Sequence, residues 1–512
     1  MASQARISLS SVSTATVAPP ARPRHDIESA IDSGDATLKR YSQKYGATWD
    51  GPNDPHNPYN WRFSRKLRIG TIASFGQLVA YMSASMIAPA LFDIEHELRV
   101  DDTVSQLIML ITFLGFGIGQ FIFAALGEVL GRRPAWIAGN VWFVFWNAIA
   151  PVGKSTELLI FARLMAGIGA SVNILLAVPI MQDLFSEDDR GKSIAVVSSL
   201  TYFGPALGPI LGGLVMQKLR WHWIFWILSI GNTSVFFMGY FFLEETYAPS
   251  LLRQECAAQA APTSTSPLWK LWSSMRAAQQ ETGLSEHFFR PFRLFVTRPI
   301  VYLITGVLAL DMAVYCIILS SISKLYTEEY HTSEFTGSLH YIAVAIGATI
   351  NGQLGSKIMD RIFAVLKRRN KGVGQPEFRV PYLVPGLLIM PAGLLWLGWS
   401  AQHGLSWVMV DFGVGVFTLG SFTTAQAVNA YQVDEFKDFS ASALAATFLL
   451  QNVLGFLMPI WAPKMYEALG YGWGNSLVAL AMILVGSPMA AVLWFRGAKI
   501  RAIGRKDELD VE

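Results

Sequence analysis

Few side chains in this chain of 512 residues combine reactivity with an apolar setting, and those few define its chemistry. Asp311 lies twelve residues after Pro299 in a hydrophobic run, roughly 18 Å along a helix and near the middle of a bilayer. An ionised carboxylate there is strongly disfavoured, so the group is suited to taking up and releasing a proton. An Asp tied structurally to a neighbouring helix is the competing reading. Arg163 stands about six residues into another run, a depth that costs at least ~2 kcal/mol unless the charge is paired or hydrated. It serves a function, or it snorkels to the surface. His340 titrates near neutrality, or it simply hydrogen-bonds within the packing. Asp411, near the end of its run, is expected to be wet. Gln77, Tyr81, Asn173, Tyr202, Asn351 and Gln426 are the candidates for lining a cavity, because polar residues in apolar helices face the bundle interior.

Other chemistries are excluded. There is no Gly-x-Ser-x-Gly elbow and no His-Glu-x-x-His. SEDDRGKS (186–193) ends like a phosphate-binding loop, but Ser186 replaces its first glycine and three acidic residues would repel phosphate. Two cysteines, Cys256 and Cys316, exclude a disulfide framework and a Cys-based zinc site. No metal or cofactor is expected. A net charge of +3, scattered along the chain, excludes a nucleic-acid partner.

The elements that position these residues are membrane spans. Charged residues are 15% of the chain against roughly 25% in soluble domains. Hydrophobic residues are 52%, and the mean hydropathy is +0.37. Twelve stretches are long and apolar enough to cross about 30 Å of hydrocarbon. Spans 1–6 fall near 67–91, 103–126, 135–152, 157–182, 193–216 and 221–243. Spans 7–12 fall near 299–323, 335–358, 382–401, 406–428, 439–463 and 474–495. The expected fold is all-α, with two pseudo-symmetric six-helix bundles at 67–243 and 299–495. Composition predicts a disordered tail over 1–66, a polar central loop over 244–298 and a short tail over 496–512. Asn232-Thr-Ser fits a glycosylation sequon but lies inside span 6.

Orientation follows from Lys and Arg, which accumulate in cytoplasmic loops. GRRP (131–134), DRGK (189–192), KRRNK (367–371) and RGAKIRAIGRK (496–506) share one side, so both termini are expected in the cytoplasm.

Span 5 carries the most specific pattern, Gly204-Pro205-Ala-Leu-Gly208-Pro209-Ile-Leu-Gly212-Gly213. Glycines at i, i+4 and i+8 leave one helix face free of side chains, and each proline removes a backbone hydrogen bond. A tight packing seam explains the stripe. The run also resembles the antiporter signature of the major facilitator superfamily, found in its drug:proton antiporters. The loop AALGEVLGRRPAW resembles that superfamily's loop 2–3 motif, with Glu128, Gly131, Arg132 and Arg133 at its acidic, glycine and basic positions and Ala124 at its first glycine. Physically, Glu128 can pair with a nearby Arg and cap a helix end, which would latch the halves in one conformation. Arg163-Leu-Met-Ala-Gly167-Ile-Gly169-Ala170 resembles the span 4 motif, with Ala166 at its Gln position, and Gln451 in span 11 replaces an Arg of many relatives. The flanks DPHNPYNWRFSRK, RWHWIFWI, LEETYAPSLL and NAYQVDEF are similar to those of the fungal branch.

The resemblance implies the major facilitator fold in a cell membrane. It implies a proton-coupled, alternating-access exporter of lipophilic compounds: drugs, fungicides, or fungal toxins such as polyketides of the cercosporin kind. Asp311, Arg163, Glu128 and His340 are then the candidates for coupling. A lipophilic small molecule, protons and membrane lipids are the expected partners of a monomer. A polyamine or nutrient carrier of the same superfamily stays open, and so does a multispan membrane enzyme, although clustered catalytic residues at one membrane face are lacking.

Overall fold

The computed structural model describes Trp49 and residues 54–153, 155–185, 200, 203–252, 293, 295–436 and 440–503. The first-half helices are Phe63–Ser85, Asp102–Val129, Arg132–Ile149, Thr156–Leu184, Gly204–Met216 and His222–Phe242 (spans 1–6). The second half has Pro299–Glu328 (span 7) and a broken span 8, in which Asn351–Gly355 is a turn of π-helix between Ile342–Ile350 and Ser356–Arg369. Val380–Gln402, Trp407–Glu435, Ser440–Leu457 and Ala462–Ala502 follow (spans 9–12). Among the described residues no strand occurs. Eight helical stretches there are long and apolar enough to cross a membrane, one of them running through spans 11 and 12. Span 3, the described part of span 5 and the broken span 8 fall short by that measure.

Capping explains several starts. Asp101 accepts from the Val104 amide and Ser155 from the Leu158 amide, satisfying donors that a helix N-terminus leaves free. Pro299 opens span 7, where its missing N–H costs nothing. Expected and observed ends differ most at span 12. Helix there begins at Ala462, and Gly470 at φ 71° breaks it, a conformation that favours glycine.

The surface is that of a protein dissolved in lipid. Phe241, Phe495 and Ile230 are exposed, while Asn140, Asn147 and Thr305 are fully buried. Near the end of the stretch expected to be a disordered tail, two indoles are packed. Trp49 is buried against Leu252, and Trp61 joins a core with Phe185 and Leu243. Two large indoles bury too much apolar surface to stay solvated. Residues 1–48 lie outside the described part.

The halves meet chiefly where span 11 lies on span 2 and where span 8 and the short helix Glu334–Leu339 lie on span 5. Gly117 makes the first contact close: a Cβ there would stand 3.2 Å from the Leu449 carbonyl oxygen and from the Asn452 Cβ. Two ends are distinguished below: the basic end, carrying Arg132 and Arg379, and the opposite end, carrying Glu334.

Candidate functional site

Asp311 sits in the second half of span 7's first four turns, only 4% exposed. Ser421 of span 10 hydrogen-bonds it, and its Oδ1 has no partner. Among the described residues no Lys or Arg stands within ion-pair distance. One turn on, Tyr315 interacts with Asp311 and, across the interface, with Tyr81 of span 1, and its ring meets Phe422 edge-on at 6.0 Å. The Tyr315 hydroxyl, Gln120 Oε1 and Gln451 Oε1 are likewise buried without partners. A buried polar atom left unpaired costs about 1–3 kcal/mol, so Asp311 and Tyr315, one turn apart on span 7, mark a place built for a ligand, water or a proton. Tyr315 and Gln120 were not among the residues singled out from sequence. Their signal is weak, because a Tyr or Gln in an apolar helix reads equally well as packing.

Arg163 is not at this place and does not snorkel. It is 1% exposed and donates to three backbone carbonyls: Ser83 at 2.8 Å, Ile108 at 3.2 Å and Met109 at 3.3 Å. Its guanidinium ties span 4 to spans 1 and 2. The cavity candidates divide. Asn173 donates to Asn140 at 3.0 Å, as does Asn232, inside the first half. Asn351 donates to Gln426 at 3.0 Å and accepts from Tyr382 at 2.8 Å and Thr423 at 2.9 Å, inside the second. Gln77 donates to the Ile174 carbonyl at 3.4 Å, and Tyr81 packs on Gly204. Tyr202 and the loop 186–193 lie outside the described residues.

The glycine run forms the seam its spacing predicts. Cβ atoms at Gly204, Gly208 and Gly212 would meet span 1 and its extension at Tyr81, Ser85 and Met86, while one at Gly213 would meet Ser338 of the other half. Pro205 opens the described helix and Pro209 lies inside it.

At the basic end, a carboxylate that caps span 3 is that of Glu245. It accepts from the Arg132 amide at 2.9 Å and the Arg133 amide at 3.1 Å. Gly131, at φ 99°, turns the chain so that these donors face it, and a Cβ there would overlap the carboxylate. Burial raises the Glu245 carboxyl above its ordinary range, and its amide donors pull it back. The Arg132 side chain donates to Asp183 at 3.3 Å, lies 4.4 Å from the Tyr247 ring and feels Glu128 electrostatically. Arg65 and Glu244 form a two-point pair beside it. The second half repeats the plan. Arg379 donates to Asp434 at 2.9 Å and Asp360 at 3.1 Å, while Arg501 joins Glu377 and Glu435, each at 2.8 Å. Each half thus places an acid near the end of its second helix, an Arg at the start of its third and an Asp at the end of its fourth. That recurrence was the available signal for Asp360, Arg379 and Asp434.

At the opposite end, His340 lies between two helices and not within span 8. Its Nδ1 is 2.8 Å from Asp411, which also accepts from the Tyr326 hydroxyl at 2.6 Å. Asp411 was expected to be wet; it is mostly enclosed because the Tyr326 and His340 rings stack at 3.7 Å over it. The neighbouring helix Glu334–Leu339 carries the second half onto span 5. Burial pushes the Glu334 carboxyl up to about 7, and Asp93 of the first half adds repulsion. A folded value above the free one contributes stability that is full below about 4.5 and is lost as pH rises through about 7. Thermal unfolding of the purified protein at pH 5 and pH 8 is expected to show this loss in wild type and a smaller one in Glu334→Gln. Equal losses would remove Glu334 as the cause.

The geometry has known counterparts. The model of the Major Facilitator Superfamily matches residues 73–459. An uncharacterised transporter of Schizosaccharomyces pombe is 34% identical over 89% of this chain and 93% of its own. The efflux pump vrtL of Penicillium aethiopicum is 33% identical over 90% of each chain. Among solved structures, the proton:xylose symporter XylE is similar in fold, with a TM-score of 0.63 at 14% identity, over 85% of this chain and 96% of that one. Two packed halves of apolar helices, a buried interface between them and these matches lead to one conclusion: the chain is a multi-pass membrane transporter, not an enzyme, and belongs to the Major Facilitator Superfamily.

Proposed function

We propose that the protein exports lipophilic organic compounds, fungal secondary metabolites or drugs, in exchange for protons by alternating access. The observation that carries the reading is Asp311, a buried acid with one oxygen free and, among the described residues, no cationic partner. Such a group can be neutral when the halves close around it and give up its proton when one side opens. The contacts that must break and re-form are those of span 11 on span 2 and span 8 on span 5. The Arg132 and Arg379 clusters each brace one half at the basic end, and the Lys/Arg asymmetry supports placing that end in the cytoplasm. Relatives named efflux pumps support the direction.

Vesicles holding the purified protein test this. A lipophilic substrate added on one side is expected to drive protons out of the other, in proportion to substrate moved. Transport with no proton movement would sink the coupling, and accumulation against the expected direction would sink export.

A further inference from the structure

Away from Asp311, a cavity of about 130 Å³ opens at the end opposite the basic clusters, between the two halves. Gln106, from the first turns of span 2, lines it; the residue is 4% exposed and its Oε1 has no hydrogen-bond partner. From the other half come Lys324, Glu328 and Glu329 at the end of span 7, and Tyr466 and Glu467 after span 11. The single cation is already neutralised: Lys324 Nζ lies 3.0 Å from Asp102 and 3.8 Å from Glu328. Glu329 and Glu467, both exposed at the rim, form no ion pair among the described residues. The rim is therefore net acidic. Tyr466 stacks on Tyr471 at 4.7 Å, which leaves an aromatic wall beside the carboxylates.

Each feature asks for the same ligand. Carboxylates and aromatic faces attract a cation, and a free amide oxygen at the base accepts an N–H. The volume admits only a small group, far smaller than the lipophilic molecules considered above. We propose that this cavity is a binding site for small organic ammonium ions, with Gln106 accepting an N–H and Glu329 and Glu467 holding the charge. The ligand touches span 2 of one half and spans 7 and 12 of the other. It therefore binds the conformer in which these ends are together and opposes their separation. The inference rests on the cavity alone, not on the direction or coupling of transport.

The test uses the full-length protein in lipid nanodiscs, with ethylammonium chloride as the probe and sodium chloride at equal ionic strength as the reference. Thermal unfolding, followed by tryptophan fluorescence, is expected to shift upward and saturate with ethylammonium. Glu467→Gln, a change at an exposed position, should weaken apparent affinity severalfold. Gln106→Leu should weaken it by about tenfold, the effect of losing one hydrogen bond to a charged group. Tetramethylammonium, which has no N–H, should bind wild type about tenfold more weakly than ethylammonium. A wild-type shift that is absent or matched by sodium overturns the proposal. So does wild-type affinity in both variants.

Discussion

Asp311→Asn is expected to abolish uphill export while leaving substrate binding within about threefold of wild type. Asn has the shape of the protonated acid and keeps a partner for Ser421, so packing around this nearly fully buried residue changes little. What it cannot do is release a proton. With no ion pair among the described residues to absorb the change, the variant behaves as a carrier held permanently in its protonated form. Substrate can still exchange, but the accumulation ratio across vesicles under a proton gradient should fall to about one. Binding by tryptophan quenching and accumulation under an imposed gradient, measured side by side, check this. An Asn variant that pumps uphill with unchanged pH dependence removes Asp311 from the mechanism and moves the search to Glu128 and His340.

Gly212→Leu is expected to abolish export and destabilise the protein. A Cβ at this position would overlap the Met86 carbonyl oxygen and stand 3.0 Å from the Pro89 Cγ. Backbone cannot move aside as a side chain can, so span 5 must lift off span 1, at a cost of about 1–3 kcal/mol or more. Gly208→Leu should act in the same direction more weakly. Its nearest neighbour is the Ser85 hydroxyl, which can rotate, and the Met82 carbonyl oxygen lies at 3.1 Å. Gly231→Leu in span 6 is the control, because nothing lies within 4 Å of its Cβ position. Membrane-inserted Gly212→Leu with wild-type export and thermal midpoint would show that the seam tolerates separation.

These two positions were open to sequence reasoning to different degrees. The glycine stripe was readable because helical periodicity alone places residues four apart on one face. That span 1 lies under it was not. Asp311 stood out because a lone acid in an apolar run is costly wherever the fold puts it. Its free oxygen, and its neighbour Ser421, depend on how span 10 approaches span 7.

Hydropathy carries the membrane-crossing character of the helices, because crossing a bilayer demands a continuous apolar run that no packing partner can replace. Pairing of charges is different. Glu245 caps a helix that begins 113 residues earlier, and His340 meets Asp411 across 71 residues. Both distances are set by which helix ends come together, and no local pattern encodes that. Arg163 shows the same limit: its depth in span 4 announced an expensive charge, but only packing supplied three backbone carbonyls to receive it. The cost of burying a group is a property of the residue, whereas what offsets that cost belongs to neighbours that only the folded chain brings near.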